Sequence, residues 1–146
     1  MNSIFRWCLV GAGYLLLPSV SQAQQAPSRA AAGDTVWVIV NYVKADKRAQ
    51  FERFCSEQFW PLARKLNPTD QRAFRQTRVL NAVRAEADGT YAYVFIMDPK
   101  IPRQNYSIEA FLKKMYAKEQ AAAYYKQFAD CLANDGKEYL TVQTRF

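Results

Sequence analysis

Histidine is absent from all 146 residues. That removes Ser-His-Asp and Cys-His catalysis, histidine-held zinc or non-haem iron, and a proximal histidine for haem. Glycine is also scarce: beyond residue 23 only Gly33, Gly89 and Gly136 occur. No glycine-rich loop is therefore available to cradle a phosphate group. Acidic residues number 13 against 20 Lys and Arg, for a net charge of +7. The basic residues are scattered among Asp and Glu, which is the pattern of a solvated surface and argues against nucleic acid as a partner. No metal site and no cofactor are implied by any of these residues.

Long apolar runs are limited to one, Trp7 to Leu17, preceded by Arg6 and followed by Pro18 and the small-x-small site Ser21-Gln22-Ala23. It falls short of the roughly 18 to 20 residues a membrane span needs. Residues 1–23 read as a secretory signal peptide cleaved after Ala23, with Ala26 as an alternative site. Phe5-Arg6-Trp7 before Cys8 is too bulky and charged for lipid attachment. The expectation is export to the periplasm or the extracellular space, with no membrane attachment after cleavage. Residues 24–33, rich in Gln, Ala and Ser, read as a disordered lead-in, and 34–146 as one domain. Loss of Arg6 lowers the net charge from +7 to +6.

What the domain does contain is strongly patterned. "DTVWVIVNYV" predicts a strand over Thr35 to Val43, and Asp46 is expected to cap the helix that follows. Phe51, Phe54, Cys55, Leu62 and Leu66 recur at helical spacing, interrupted by Pro61, which predicts a kink or break near Trp60. "NPTDQRAF" reads as a connection, Gln76 to Arg84 as a second strand, and Asp88-Gly89 as a hairpin turn. "TYAYVFIMD" is a third strand, apolar on both faces. Ser107 is expected to cap a long helix to about Asn134, broken around Ala117 to Gln120 and ended by "NDG". "KEYLTVQTRF" closes the chain as a fourth strand.

The order β-α-β-β-α-β is the ferredoxin-like arrangement, an α+β fold with a four-stranded antiparallel sheet and helices on one face. Helices on one face leave the apolar second face of the third strand uncovered, and a second copy stacked sheet against sheet is the economical cover. From Asp34 to Phe146 the chain resembles the dimeric α+β barrel superfamily. That group includes antibiotic-biosynthesis-type monooxygenases, EthD-like proteins and stress-responsive barrel proteins. The resemblance rests on the element order, the "ADGTYAYVFIMD" hairpin, the interrupted "FLKKMYAKEQAAAYYKQF" helix and the terminal strand.

The resemblance implies a homodimer formed through the sheet faces and a pocket for a small apolar or aromatic ligand between sheet and helices. Some of these monooxygenases are cofactor-free, and several use an Asn on the first strand and a nearby Trp to orient the substrate. Asn41 and Trp60 match those positions, with Asn41 the candidate catalytic residue. Haem-degrading relatives use a histidine ligand that this chain lacks. Further ligand candidates are Trp37, which shares a strand face with Asn41, together with Tyr93, Tyr116 and Arg78. Each has a structural alternative, Asn41 included: a bond to a neighbouring loop backbone or a sheet-edge position for Asn41, core or interface packing for Trp37, interface packing for the tyrosines, and blunting of a sheet edge for Arg78. Cys55 and Cys131, both helical in this reading, are candidates for a disulfide in an oxidising compartment, or else two buried thiols.

Asp and Glu fall mainly at caps and exposed positions, so no carboxylate pair presents itself for acid–base work. Three functions stand open: an exported binder of small apolar or aromatic ligands, a cofactor-independent oxygenase or isomerase acting on an aromatic or quinone-like substrate, and a structural homo-oligomer without a pocket.

Overall fold

Alternating β-branched and aromatic residues from Thr35 to Val43 favour an extended, pleated chain, and this segment is β1 (Thr35–Val43). In the computed structural model, which describes residues 29–145, it pairs on both edges. Its neighbours are β3 (Tyr91–Met97) and β4 (Lys137–Val142), while β2 (Thr77–Leu80) pairs with the outer edge of β3. The order β2-β3-β1-β4, antiparallel throughout, is the ferredoxin-like sheet expected from the sequence.

The register sorts the side chains. Asn41 lies opposite Tyr93, Ile39 opposite Phe95, and Trp37 opposite Met97. Directly opposed residues share a sheet face, and on this one Tyr93, Phe95 and Met97 are buried beneath the helices. Val36, Val38 and Val40 project the other way with Ala92, Val94 and Ile96. Among the described residues no helix covers this second face.

Pro61 has no N–H to donate, and the helix around it is irregular as expected. A 3-10 turn (Ala45–Lys47) leads into α1 (Arg48–Arg53), followed by a π-helical stretch (Phe54–Phe59) and a 3-10 stretch (Trp60–Lys65). The Trp60 N–H reaches back five residues to the Cys55 carbonyl. Asp46 does not cap α1: it lies inside the 3-10 turn, and Lys47 occupies the cap position without a side-chain bond.

The segment read as a connection is instead α2 (Pro68–Gln76). The Asn67 side chain accepts from the Asp70 N–H at 2.9 Å, and Pro68 occupies the first helical position, where its missing N–H is no loss. β2 ends at Leu80 rather than Arg84, and Val83 is 99% exposed, so the apolar pattern beyond Leu80 packs against nothing. Ser107 caps α3 (Ile108–Met115), accepting from the Ala110 N–H at 3.3 Å. The chain breaks at Tyr116 and Ala117, at the start of the expected interval, before α4 (Lys118–Ala129).

"NDG" is not the cap of α4, which ends five residues earlier. Those residues turn the chain into β4, with Gly136 at φ 71° donating its N–H to Asn134 Oδ1.

The core is aromatic. Phe51, Phe54, Phe59, Phe74, Phe111 and Phe128 are buried between the helices and the sheet. The candidate disulfide between Cys55 and Cys131 is not formed; both thiols are free, as in the alternative reading. Cys131 donates its S–H to the Gln127 carbonyl one turn back at 3.1 Å. Burial pushes the Cys55 thiol up to about 12. No described helix is long and apolar enough to cross a membrane. The expected signal peptide lies outside the described residues, whereas residues 29–33 are held in place. There Ala30 N–H donates to Asp98 Oδ1 at 2.8 Å and Gly33 N–H to the Gln143 carbonyl at 2.9 Å.

Candidate functional site

The helix-facing side of the sheet does not close completely onto the helices. A cavity of about 630 Å³ is lined by Trp37, Ile39 and Asn41 of β1, by Phe95 and Met97 of β3, and by Phe59, Trp60, Phe74 and Phe111. Its walls are aromatic edges and faces. Trp60 meets Phe74 edge-on at 5.3 Å between ring centroids, Phe74 meets Phe111 at 4.9 Å, and Trp37 meets Tyr106 at 5.8 Å. Such geometries are the favoured ones for ring quadrupoles, and the partly buried Trp37, Trp60 and Tyr106 carry the ring surface a flat guest would meet.

Two polar groups inside this box have unused hydrogen-bonding capacity. Asn41 is half-buried and lines the cavity, and its side-chain amide, open to water, has no hydrogen-bond partner among the described residues. The Tyr106 hydroxyl accepts from the Ile101 N–H at 3.0 Å, which leaves its own hydrogen for a guest. Burial raises the Tyr106 pKa, so the phenol is neutral at pH 7. Lys100, Asp135 and Glu138 supply the charges along the lining, and the Lys100 ammonium stands 5.7 Å from the Trp37 ring centroid.

A buried carboxylate holds one wall. Asp70 on α2, 2% exposed, receives Asn67 Nδ2 at 2.7 Å, Gln104 Nε2 at 2.8 Å and the Lys114 ammonium at 2.7 Å. Burial pulls its carboxyl up, but Lys114, Gln104 and Asn67 together outweigh burial and hold it below the usual range. This cluster ties α2 and α3 to the segment carrying Gln104, Asn105 and Tyr106, all of which line the cavity.

Of the residues singled out in the sequence, Trp37, Asn41 and Trp60 meet at this cavity. Tyr93 lies beside Asn41 but lines a neighbouring cavity of about 520 Å³, with Trp60 shared between the two. Tyr116 lines neither cavity; its hydroxyl donates to the Gln58 carbonyl at 2.6 Å and its ring packs on Tyr124. Arg78 projects onto the opposite sheet face and pairs with Asp98 at 2.9 Å, sharing that carboxylate with Arg29. Sequence reasoning passed over Asp70, Gln104 and Lys114. The helix-start pattern of Asn67-Pro68 was the one local signal that could have drawn attention to Asp70. Among the described residues no group of His, Cys, Asp and Glu is placed to hold a metal ion.

No family model matches this chain, and no curated protein does. Two solved structures are similar to it, each described as a "putative antibiotic biosynthesis monooxygenase". The protein from Caulobacter crescentus CB15 is 12% identical with a TM-score of 0.42, over 78% of this chain and 92% of its own. The protein from Bordetella bronchiseptica is 13% identical with a TM-score of 0.37, over 77% and 99%. Likeness at this level says nothing of activity.

Proposed function

We propose that the protein binds a small planar aromatic molecule carrying a hydroxyl or carbonyl oxygen in the 630 Å³ cavity, with Asn41 as the polar anchor. The observation that carries this reading is the unpartnered Asn41 amide inside an aromatic box. A guest's oxygen takes a hydrogen bond from this amide in place of water, among apolar rings that favour the exchange. Tyr106 offers a second donor, while the rings take the guest's faces. A cavity of this size weighs against a purely structural role.

2-Naphthol is a suitable probe. Calorimetric titration is expected to show one site, weakened about fivefold in Asn41→Leu, which corresponds to one neutral hydrogen bond of about 1 kcal/mol. Equal affinity in the variant overturns the assignment. Oxygenation of a bound hydroquinone is a second reading, favoured by the same two neutral donors, which could stabilise a phenolate oxygen. It predicts oxygen uptake with 1,4-dihydroxynaphthalene that Asn41→Leu abolishes without loss of fold.

A second copy of the chain is the proposed cover of the open sheet face. Val38, Val40, Val94 and Ile96 form its centre, and Leu80 and Tyr139, 48% and 50% exposed, extend it to both edges. A two-fold dimer would pack this patch against its own copy. Sedimentation velocity is expected to show a dimer that Val94→Lys converts to monomer, and a wild-type monomer overturns the proposal. Export, expected from residues 1–23, is part of the same proposal, and signal cleavage read by mass spectrometry tests it.

A further inference from the structure

The cavity of about 520 Å³ on the far side of Trp60 has a different chemistry. The half-buried Trp60 ring is the aromatic surface it offers, since Phe51 and Tyr93 are 0% and 1% exposed, and its one ionised lining group is Glu52, whose side chain is 41% exposed. That is unusual placement in a chain with 20 Lys and Arg. Glu52 is held firmly. Its Oε1 accepts the Tyr93 hydroxyl at 2.5 Å and Arg48 Nε at 3.0 Å. Oε2 has no partner among the described residues.

Arg48 does not reach the lining. Its Nε also donates to the Tyr93 hydroxyl at 3.2 Å, and its guanidinium lies on the Tyr91 ring at 4.5 Å from the centroid. The Tyr93 hydrogen bond, opposed by burial and helped by Arg48, holds the Glu52 carboxyl below its usual range. Burial, with Glu52, raises the Tyr93 phenol to about 12, so the pair stays a carboxylate accepting from a neutral phenol through the physiological range.

We propose that this second cavity binds a small aromatic or aliphatic molecule through its ammonium group, received by the free oxygen of Glu52 beside the Trp60 ring. A fixed carboxylate supplies a charge-assisted hydrogen bond, and the Trp60 ring supplies cation–π attraction. Tyr93 and Arg48 are positioning residues: they occupy one carboxylate oxygen and so aim the other. This site shares only Trp60 and Thr77 with the first cavity and has its own polar anchor.

The test uses phenethylamine and 3-phenylpropionate, which present similar apolar bodies with opposite charge, against the whole protein at neutral pH. Calorimetry is expected to show one phenethylamine site, weakened tenfold or more in Glu52→Gln. The substituted amide keeps the acceptor used by Tyr93 and Arg48, so the fold is retained. Val79→Trp, which fills the cavity from β2 without touching Glu52, is expected to abolish binding. Tighter binding of 3-phenylpropionate overturns the proposal, because it means that Arg48 is the group presented. Equal amine affinity in Glu52→Gln overturns it too, as does an amine affinity that falls in Asn41→Leu but not in Glu52→Gln, or no saturation by millimolar amine.

Discussion

Asp70→Asn is the substitution that most directly probes how the first cavity is held. The wild-type carboxylate, 2% exposed, takes three side-chain hydrogen bonds, from Asn67, Gln104 and the Lys114 ammonium. An asparagine keeps one acceptor oxygen and turns an NH2 toward donors. The buried site therefore loses charge-assisted bonds worth about 1.5–3 kcal/mol each when deleted. Lys114 is 46% exposed and regains water when its partner goes, so the ion pair itself must be discounted. A net loss of roughly 2 kcal/mol follows, or about 8 °C in Tm for a domain of this size. The pH dependence has a definite sign. A carboxyl held low in the folded state contributes stability that is fully present above its unfolded value of about 4 and is lost as pH falls through the folded value. Thermal melts of wild type and variant are expected to differ most at neutral pH and to converge below about pH 4. A Tm difference under about 2 °C at pH 7, or one that stays constant into acid, refutes this account of the cluster.

Gly136→Ala is expected to destabilise by more than about 2 kcal/mol in denaturant titration, since φ is 71° and an added Cβ runs into the Val40 carbonyl oxygen. Cys55 and Cys131 are expected to resist alkylation in the native protein at pH 8 and to react fully once unfolded without reductant, as read by peptide mass; a bridged pair contradicts this. Tyr116→Phe is expected to lower stability by about 1 kcal/mol through the lost bond to Gln58, while 2-naphthol affinity is unchanged.

The strands were legible where two-residue alternation met β-branched and aromatic residues, and for β1 that alternation also placed Trp37, Ile39 and Asn41 on one face. Pro61 marked the irregular helix correctly, though nothing local tells a π-helical stretch from a kink. α2 was hidden because its nine residues bury chiefly Ala73 and Phe74 among polar neighbours, so no apolar stripe announces it. β2 was overextended because Val83 has the right type in the right phase and yet meets no partner. The Asp70 cluster joins residues 34 and 44 positions apart, a juxtaposition only the tertiary fold creates. Tyr116 looked like a pocket residue until the helix break turned its hydroxyl onto Gln58. Arg78 and Arg29 share Asp98 at the sheet edge, and alternation on a strand as short as β2 could not say which face Arg78 takes.

The central claim is that Asn41 meets a guest inside the aromatic cavity, and nuclear magnetic resonance of the side-chain amides with 2-naphthol tests it most directly. The account predicts that the Asn41 NH2 signals shift on binding and show nuclear Overhauser contacts to the naphthol ring, alongside contacts from the Trp60 and Phe74 ring protons. Contacts from the naphthol to Val94 and Ile96 on the open sheet face, with the Asn41 amide unmoved, would contradict it.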